Sequence, residues 1–363
     1  MCDAAPPKTR TKEMVNSMEH ETWRLTAAPA DLEKAAALLR AGELVAVPTE
    51  TVYGLAADAL NGEAVRRIFE AKGRPADNPL IVHIAEMAAW EPLVTHIPET
   101  ARRLAAAYWP GPLTLILPHA PCIPDEVSAG LPTVAVRFPS HPVAQAIIRL
   151  TGRPLAAPSA NRSGSPSPTT ARHVLDDMAG RIAAVVDGGD CAVGVESTVV
   201  DVTGAVPRLL RPGGVTLPML QAAAGEVEVD PAVTHALEKG AVAASPGMKY
   251  KHYAPRAHVV LVRGTPAAYA AYVNARAAER PGVFTAMCFD GEEAALTVPA
   301  VTYGRREDAA GQARQLFDAL RRLDELGAKE VLAACPGEDG VGLAVYNRML
   351  RASGFEVVDA HES

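Results

Sequence analysis

Short apolar runs recur along this chain with room for a helix between most of them, and this alternation limits the fold more than any other feature. The runs Glu43–Val47, Leu80–Ile84, Leu113–Leu117, Val134–Phe138, Leu155–Ala157, Ile182–Val186 and Thr198–Val202 are too short for helices. Between several of them lie helical stretches: Asp31–Arg40, Asn61–Gly73, Pro98–Tyr108, Pro142–Leu150 and Thr169–Met178. Runs that are apolar throughout, instead of alternating, fit a sheet covered on both faces. Residues 25–220 therefore read as one α/β domain around a largely buried sheet. The alternation resumes with strands at His258–Val262, Val283–Phe289, Val331–Ala334 and Glu356–Val358, and helices at Asp308–Leu326 and Gly342–Ala352. Residues 257–363 thus form a second, smaller α/β domain. Residues 1–24 are polar and mixed in charge, which fits a disordered leader. Residues 221–256 read as a linker.

Size and charge narrow the function. A chain of 363 residues exceeds one average domain. Its net charge of -7 argues against a general nucleic-acid coat, so any RNA contact, at most weak, has to come from a local patch. The cysteines (Cys2, Cys122, Cys191, Cys288, Cys335) are odd in number, scattered and never spaced CxxC. That pattern fits reduced thiols, not a disulfide frame or a zinc site. No apolar run reaches membrane-spanning length and the first 25 residues hold no signal-peptide core, so the expectation is a soluble cytoplasmic protein.

The chemistry collects where polar clusters follow strands, the place where open α/β sheets hold ligands. Lys72 and Arg74 end a basic stretch that includes Arg66 and Arg67, and flank Gly73 beside Pro75. A mobile ammonium and a planar guanidinium two residues apart suit a polyphosphate; equally, cations favour a helix C-terminus. Pro48–Leu55 offers Thr49, Glu50, Thr51 and Tyr53 after a strand, as ligand groups or as a capped turn. His83 sits among Ile81, Val82 and Ile84, a setting typical of a core histidine. Arg137, in a strand that begins near Thr133, needs an anionic partner, either a structural carboxylate or a substrate. The small residues of 157–168 let backbone N–H groups approach an anion, although no Walker loop or GxGxxG is present. Gly194–Thr198 and Arg211–Gly214 are further candidates, or ordinary turns. No convincing nucleophile–base pair or metal-ligand spacing stands out. A cationic, hydroxyl-rich pocket without a covalent catalyst suits phosphoryl or nucleotidyl transfer.

Together the motifs carry a resemblance. Pro-Thr-Glu-Thr-Val-Tyr-Gly-Leu (48–55), Lys-Gly-Arg-Pro-x-x-Asn-Pro-Leu (72–80), Trp-Pro-Gly-Pro-Leu-Thr (109–114), Pro-Ser-Ala-Asn-x-Ser-Gly (158–164) and Glu-Ser-Thr-Val-Val-Asp (196–201) resemble the YrdC-like family. The segment Ser-Pro-Gly-Met-Lys-Tyr-Lys-His-Tyr-Ala-Pro (245–255) and the second domain are similar to the long, two-domain threonylcarbamoyl-AMP synthases of that family. The resemblance implies a YrdC-like domain with a twisted sheet and a concave cavity, followed by a Rossmann-like α/β domain. It implies synthesis of threonylcarbamoyl-adenylate from L-threonine, bicarbonate or CO2 and ATP, with Mg2+ as helper and pyrophosphate released. A downstream complex would pass the group to an adenosine in tRNA. By similarity Thr51, His83, Arg137, Ala157 and Ser197 line the threonine site, with Arg137 on the carboxylate. Arg74, Asn78, Thr133, Ser159, Asn161, Ser167 and Arg211 meet ATP, Lys72 holds its phosphates, and Tyr250 or Tyr253 covers the nucleotide as part of a closing linker. Lys72 and Arg74 are the expected catalytic pair. Two rivals stand beside this reading: a module that binds double-stranded RNA without chemistry, and a carbamoyl-transfer enzyme of hydrogenase maturation, for which the chain lacks the added zinc-finger and acylphosphatase-like regions.

Overall fold

The computed structural model describes residues 21–236 and 253–360. Strands β1 (Trp23–Leu25), β2 (Val45–Val47), β3 (Gly54–Asp58), β4 (Ile81–His83), β5 (Leu113–Pro118), β6 (Thr133–Arg137), β7 (Leu155–Ala156), β8 (Ala184–Val186), β9 (Thr198–Asp201), β10 (Arg208–Arg211) and β11 (Glu228–Val229) build the first sheet. Helices α1 (Pro29–Arg40), α2 (Gly62–Lys72), α3 (Glu99–Tyr108), α4 (Asp125–Ser128), α5 (Pro142–Thr151), α6 (Ala171–Met178) and α7 (Leu217–Ala224) cover it. The strand order is β1-β8-β2-β3-β7-β4-β6-β5-β9-β10-β11, with mixed pairings. Its middle strands are buried along their length, as the unbroken apolar runs require.

The second sheet follows from β12 (His258–Arg263), α8 (Pro266–Glu279), β13 (Phe284–Cys288), β14 (Ala300–Thr302), α9 (Ala309–Glu325), β15 (Glu330–Ala334), α10 (Gly342–Ser353) and β16 (Val357–Asp359). Its order is β14-β13-β15-β12-β16, and every pairing is parallel. Parallel neighbours need crossovers, and the intervening helices supply them.

Several boundaries differ from the sequence expectation, each for a physical reason. The expected leader, 1–24, overlaps β1. Trp23–Leu25 pairs in parallel with Ala184–Val186, and the Lys34 ammonium lies 3.1 Å from the centre of the Trp23 ring. The expected end of the first domain at 220 falls inside α7, and β11 beyond it still pairs with β10. Strands β3 and β10 lie outside the expected runs: Gly54 and Arg211 fall in segments that read as loop or turn chemistry, and Arg208–Leu210 carry no strand expectation. Of the expected linker, 237–252 lies outside the described residues, including Tyr250.

Local signals place the key loops. Asn61 caps α2 with its Oδ1, accepting from the N–H groups of Glu63 and Ala64 at 3.1 and 3.2 Å. Gly73 ends the helix in the left-handed region at φ 62°, where a side chain would be strained. Lys72 and Arg74 are therefore fixed on either side of one sharp stop.

The two halves meet closely. Val52 and Val195 of the first half, with Tyr253, share an apolar cluster with Leu316, Phe317 and Tyr346 of the second. Gly194 (φ 82°) lies so close to α9 that a Cβ there would collide with the Ala313 carbonyl and the Arg314 Cα. Gly194→Ala should therefore lose more stability than Gly130→Ala, whose glycine has φ 74° but open space around it. The second substitution costs about 1–2 kcal/mol for the left-handed backbone, and the first adds about 1–3 kcal/mol of overpacking. Urea midpoints of the two variants measure this difference, and equal midpoints would show that the halves do not press together at Gly194.

Candidate functional site

At the strand ends of the first half, beside Tyr253, lies a hollow lined by Thr51, Val52, Arg74, Ile81, His83, Arg137, Ala157–Ser159, Glu196, Ser197, Arg211 and Tyr253. The strands explain the convergence. His83 and Arg137 end β4 and β6 and sit opposite each other in a parallel pair. Arg211 ends β10, and Ser197 immediately precedes β9. Thr51 lies between β2 and β3, and Ser159 bridges to Gly54.

Arg137 is the electrostatic centre of one end. Its Nη1 donates to Thr51 Oγ1 at 2.9 Å, and its Nη2 stands 2.7 Å from Glu50 Oε1. That second contact is close but poorly aligned, since neither atom completes a directed hydrogen bond among the described residues. It acts as a charge contact. Burial alone would raise the Glu50 carboxyl, but the close Arg137 charge, helped by backbone N–H groups, outweighs it and holds the group below its ordinary value. The arginine thus has a structural carboxylate beside it, one of the two kinds of partner its sequence position called for.

His83 Nδ1 faces the Ile81 carbonyl at 3.1 Å. Burial, then the Arg137 charge, push its pKa down to about 3, so the ring is neutral at physiological pH. Ser197 Oγ lies 2.7 Å from Thr114 Oγ1 and accepts from Arg211 Nη2 at 3.1 Å, while Arg211 Nε donates to the Ser197 carbonyl at 3.0 Å. These contacts splint the β9 and β10 ends together.

The other end is built on the 157–168 loop. Arg74 reaches the carbonyls of Asn78 and Pro79 at 3.3 and 3.2 Å and keeps a place on the wall. Lys72 stands behind that wall. Its ammonium, only 4 % exposed, donates to the carbonyls of Ser159 and Asn161. Burial and then the nearby Arg74 charge lower its pKa well below the usual lysine range. Asn161 donates from Nδ2 to the carbonyls of Arg162 and Ser165, both at 2.8 Å, which closes the loop on itself. Ser167 is fully buried and donates to Glu196. Asn78 is buried beneath Arg74. Thr133 stands at the far end of β6 from Arg137 and does not line the hollow. Tyr253 does line it, with a backbone φ of 64° and its ring 5.4 Å from Phe317.

Most of the expected site residues are thus drawn into one hollow or stand directly behind it. The residues missed from sequence were Glu196 and Arg348. Glu196 opens the Glu-Ser-Thr-Val-Val-Asp motif, so its signal was present. Arg348 comes from α10, and only the run of polar residues in a helix buried on all sides could have flagged it.

Comparison with known proteins agrees with this geometry. A family model described as "Telomere recombination" matches residues 37–213, and one described as "Threonylcarbamoyl-AMP synthase, C-terminal domain" matches residues 215–354. A threonylcarbamoyl-AMP synthase of Pyrococcus abyssi is 47% identical over 330 residues, covering 89% of this chain and 94% of its own length. The chain belongs to the threonylcarbamoyl-AMP synthase family. The Bacillus subtilis member of that family is 48% identical over 330 residues, covering 90% of this chain and 94% of its own. The crystal structure of Pyrococcus abyssi Sua5 complexed with L-threonine has a TM-score of 0.86 and 44% identity, covering 94% of this chain and 99% of that one. A family member with both domains matches the two sheets seen here.

The neutral His83 gives a direct test of the site's electrostatics. Its folded pKa lies below the ordinary value of 6.5, so the unfolded chain binds the proton more readily. Stability is therefore lost as pH falls from about 6.5 toward 3, at up to about 1.4 kcal/mol per pH unit for this group. In a proton NMR titration the His83 ring resonance should stay flat from pH 8 to pH 5, and a midpoint near 6.5 would contradict its burial beside Arg137.

Proposed function

We propose that the hollow joins L-threonine, CO2 and ATP into threonylcarbamoyl-AMP and pyrophosphate. The observation that carries this reading is the adjacency of two recognition ends in one cavity. Arg137, Thr51, His83 and Ser197 form an end suited to a small amino acid, and Arg74, Ser159 and Arg211 form an end suited to phosphates.

In this reading Arg137 holds the threonine carboxylate in a charge-assisted contact, and Ala157 leaves room beside it. Neutral His83 adds no cation near the amine, so the threonine ammonium can release a proton to solvent. The free amine then forms an N–C bond to CO2 as one C–O π bond opens onto oxygen, and a second proton leaves the nitrogen to give the carbamate. Bicarbonate serves as carbon source by taking up one of these protons and losing water to give CO2. The carbamate oxygen then attacks the α-phosphorus of ATP; an O–P bond forms, the bond to the bridging oxygen breaks, and pyrophosphate leaves with the electron pair. Arg74 and Arg211 neutralise the departing charge. Lys72 shapes the Ser159–Asn161 loop and adds positive potential behind it, while Ser167, Asn161 and Asn78 fix the loops that receive the nucleotide. Thr133 completes the nucleotide contacts only if the base or ribose extends along β6. Mg2+ travels with the nucleotide; no cluster of three or more His, Cys, Asp or Glu able to hold an ion occurs among the described residues. The described residues do not fit a resident metal.

The hollow offers only about 50 Å³ in this conformation, room for one or two waters. Tyr253 has to withdraw to admit a nucleotide and can return over it, which would keep water from the unstable carbamate. The carbamoyl–phosphate anhydride so made is itself reactive, which fits transfer by a separate complex to an adenosine of tRNA in the cytoplasm. No helix of the described residues is long and apolar enough to cross a membrane. The division of labour follows the sheets: residues 25–229 carry the chemistry, and residues 257–363 close and support it.

Pyrophosphate release from ATP and bicarbonate, with and without L-threonine, tests the reading. Release should require threonine; threonine-independent turnover would overturn it. Lys72→Ala should lower the rate about 100-fold or more, and near-normal release in that variant would remove Lys72 from the machinery.

A further inference from the structure

Helix α10 is the element by which the second half reaches the hollow. Its residues from Ala344 to Ser353 are all buried, although they include Asn347, Arg348 and Arg351. Arg348 has no exposed surface at all. Its Nε donates to Glu196 Oε2 at 2.9 Å, its Nη2 to the Glu196 carbonyl at 3.1 Å and its Nη1 to the Pro212 carbonyl at 2.5 Å. Weaker bonds run to the Ala344 carbonyl at 3.4 Å and to Asn347 Oδ1 at 3.2 Å within its own helix. Its guanidinium carbon lies 5.9 Å from the centre of the Tyr253 ring.

Each of the partners outside α10 is a wall residue or adjoins one. Glu196 lines the hollow itself and precedes Ser197; Pro212 follows Arg211. The second carboxylate oxygen of Glu196 accepts from Ser167. The two segments are already pressed together at Gly213, where a Cβ would stand 2.7 Å from the Glu196 carbonyl. One planar fork therefore fixes both segments and aims a wall carboxylate. Cohesion alone does not call for such a group, because a buried ion pair is often matched in stability by apolar residues of the same volume. What a guanidinium adds is direction, through donors at fixed angles.

We propose that Arg348 is a positioning residue for the reaction, holding Glu196, Ser197, Arg211 and Ser167 in working geometry, so that the second domain completes an active site whose reacting contacts all lie in the first. This rests on the function proposed above. Arg348 acts on the nucleotide side through Glu196 and Ser167, and on the wall through the Glu196 and Pro212 carbonyls. The Arg172–Glu325 contact also crosses between the halves, at 2.8 Å with both side chains exposed, and it touches no wall residue.

The test compares Arg348→Lys with Glu325→Gln in the full chain, by threonine-dependent pyrophosphate release well below each variant's unfolding midpoint. Lysine keeps the charge and loses the fork. Wild-type turnover, measured alongside, tests the function itself, so a failure there is distinct from a failure here. The expected result is a KM for ATP raised at least tenfold, or a comparable loss in kcat, in Arg348→Lys, since a misplacement of about 1 Å can cost on the order of 100-fold. Glu325→Gln should leave both constants within about twofold of wild type and the midpoint nearly unchanged, since an exposed ion pair contributes little. Combining Arg348→Lys with Ser167→Ala should cost less than the product of the two single losses, because they act on one chain of contacts. Wild-type constants in folded Arg348→Lys, or strictly multiplicative losses, would overturn the proposal. If Arg348→Lys does not fold, Glu196→Gln gives the reading from the other end: a tenfold rise in the KM for ATP supports it and an unchanged KM overturns it.

Discussion

Burying cations is the constraint on which the rest of this structure depends. Lys72, Arg137, Arg211 and Arg348 are each at most 6 % exposed, and an unanswered charge at such positions would be prohibitive. The fold answers each in its own way. Glu50 meets Arg137, Glu196 meets Arg348, the carbonyls of Ser159 and Asn161 take Lys72, and both the hydroxyl and the carbonyl of Ser197 take Arg211. The loops that supply these partners can then run only one way, and the hollow is the space they enclose.

That arrangement explains why a chain of net charge -7 can bind anions. Lys72, Arg137, Arg211 and Arg348 gather buried positive charge where strand ends converge, so attraction there acts at short range in a low-dielectric setting. The same burial keeps His83 neutral. In the proposed reaction, a protonated imidazole beside Arg137 would add a cation where the amine reacts. Binding and reactivity therefore share one cause.

Much of this was legible in the sequence because the relevant signals are local. Unbroken apolar runs gave β4, β5, β6 and β9 nearly to the residue, and Asn61 with Gly73 bounded α2. The motifs after strands held Thr51, Arg74, Arg137, Ser159, Ser197 and Arg211, all of which reach one hollow. What stayed hidden is non-local. The Glu50 contact joins residues far apart in the chain, and neither helical period nor strand alternation reports it. Lys72 read as a wall cation, yet its position as the last residue of α2 turns its stem behind Ser159. Trp23–Leu25 read as leader because an edge strand of three residues has no period to detect. Arg348 lay farthest from sight, since its partners are more than a hundred residues away and its helix looks like ordinary core.

The two sheets thus divide the work unequally but not independently. The mixed sheet brings the reacting groups to its strand ends, and the parallel sheet sends one helix back across to brace them. The central claim is that the hollow selects its ligand by negative charge on the phosphates. Calorimetric titration with ATP and with adenosine, each in the presence of L-threonine, tests it most directly. The account predicts that ATP binds at least about 100-fold more tightly than adenosine, as expected if charge-assisted contacts to the phosphates supply roughly 3 kcal/mol. Equal affinities would contradict it.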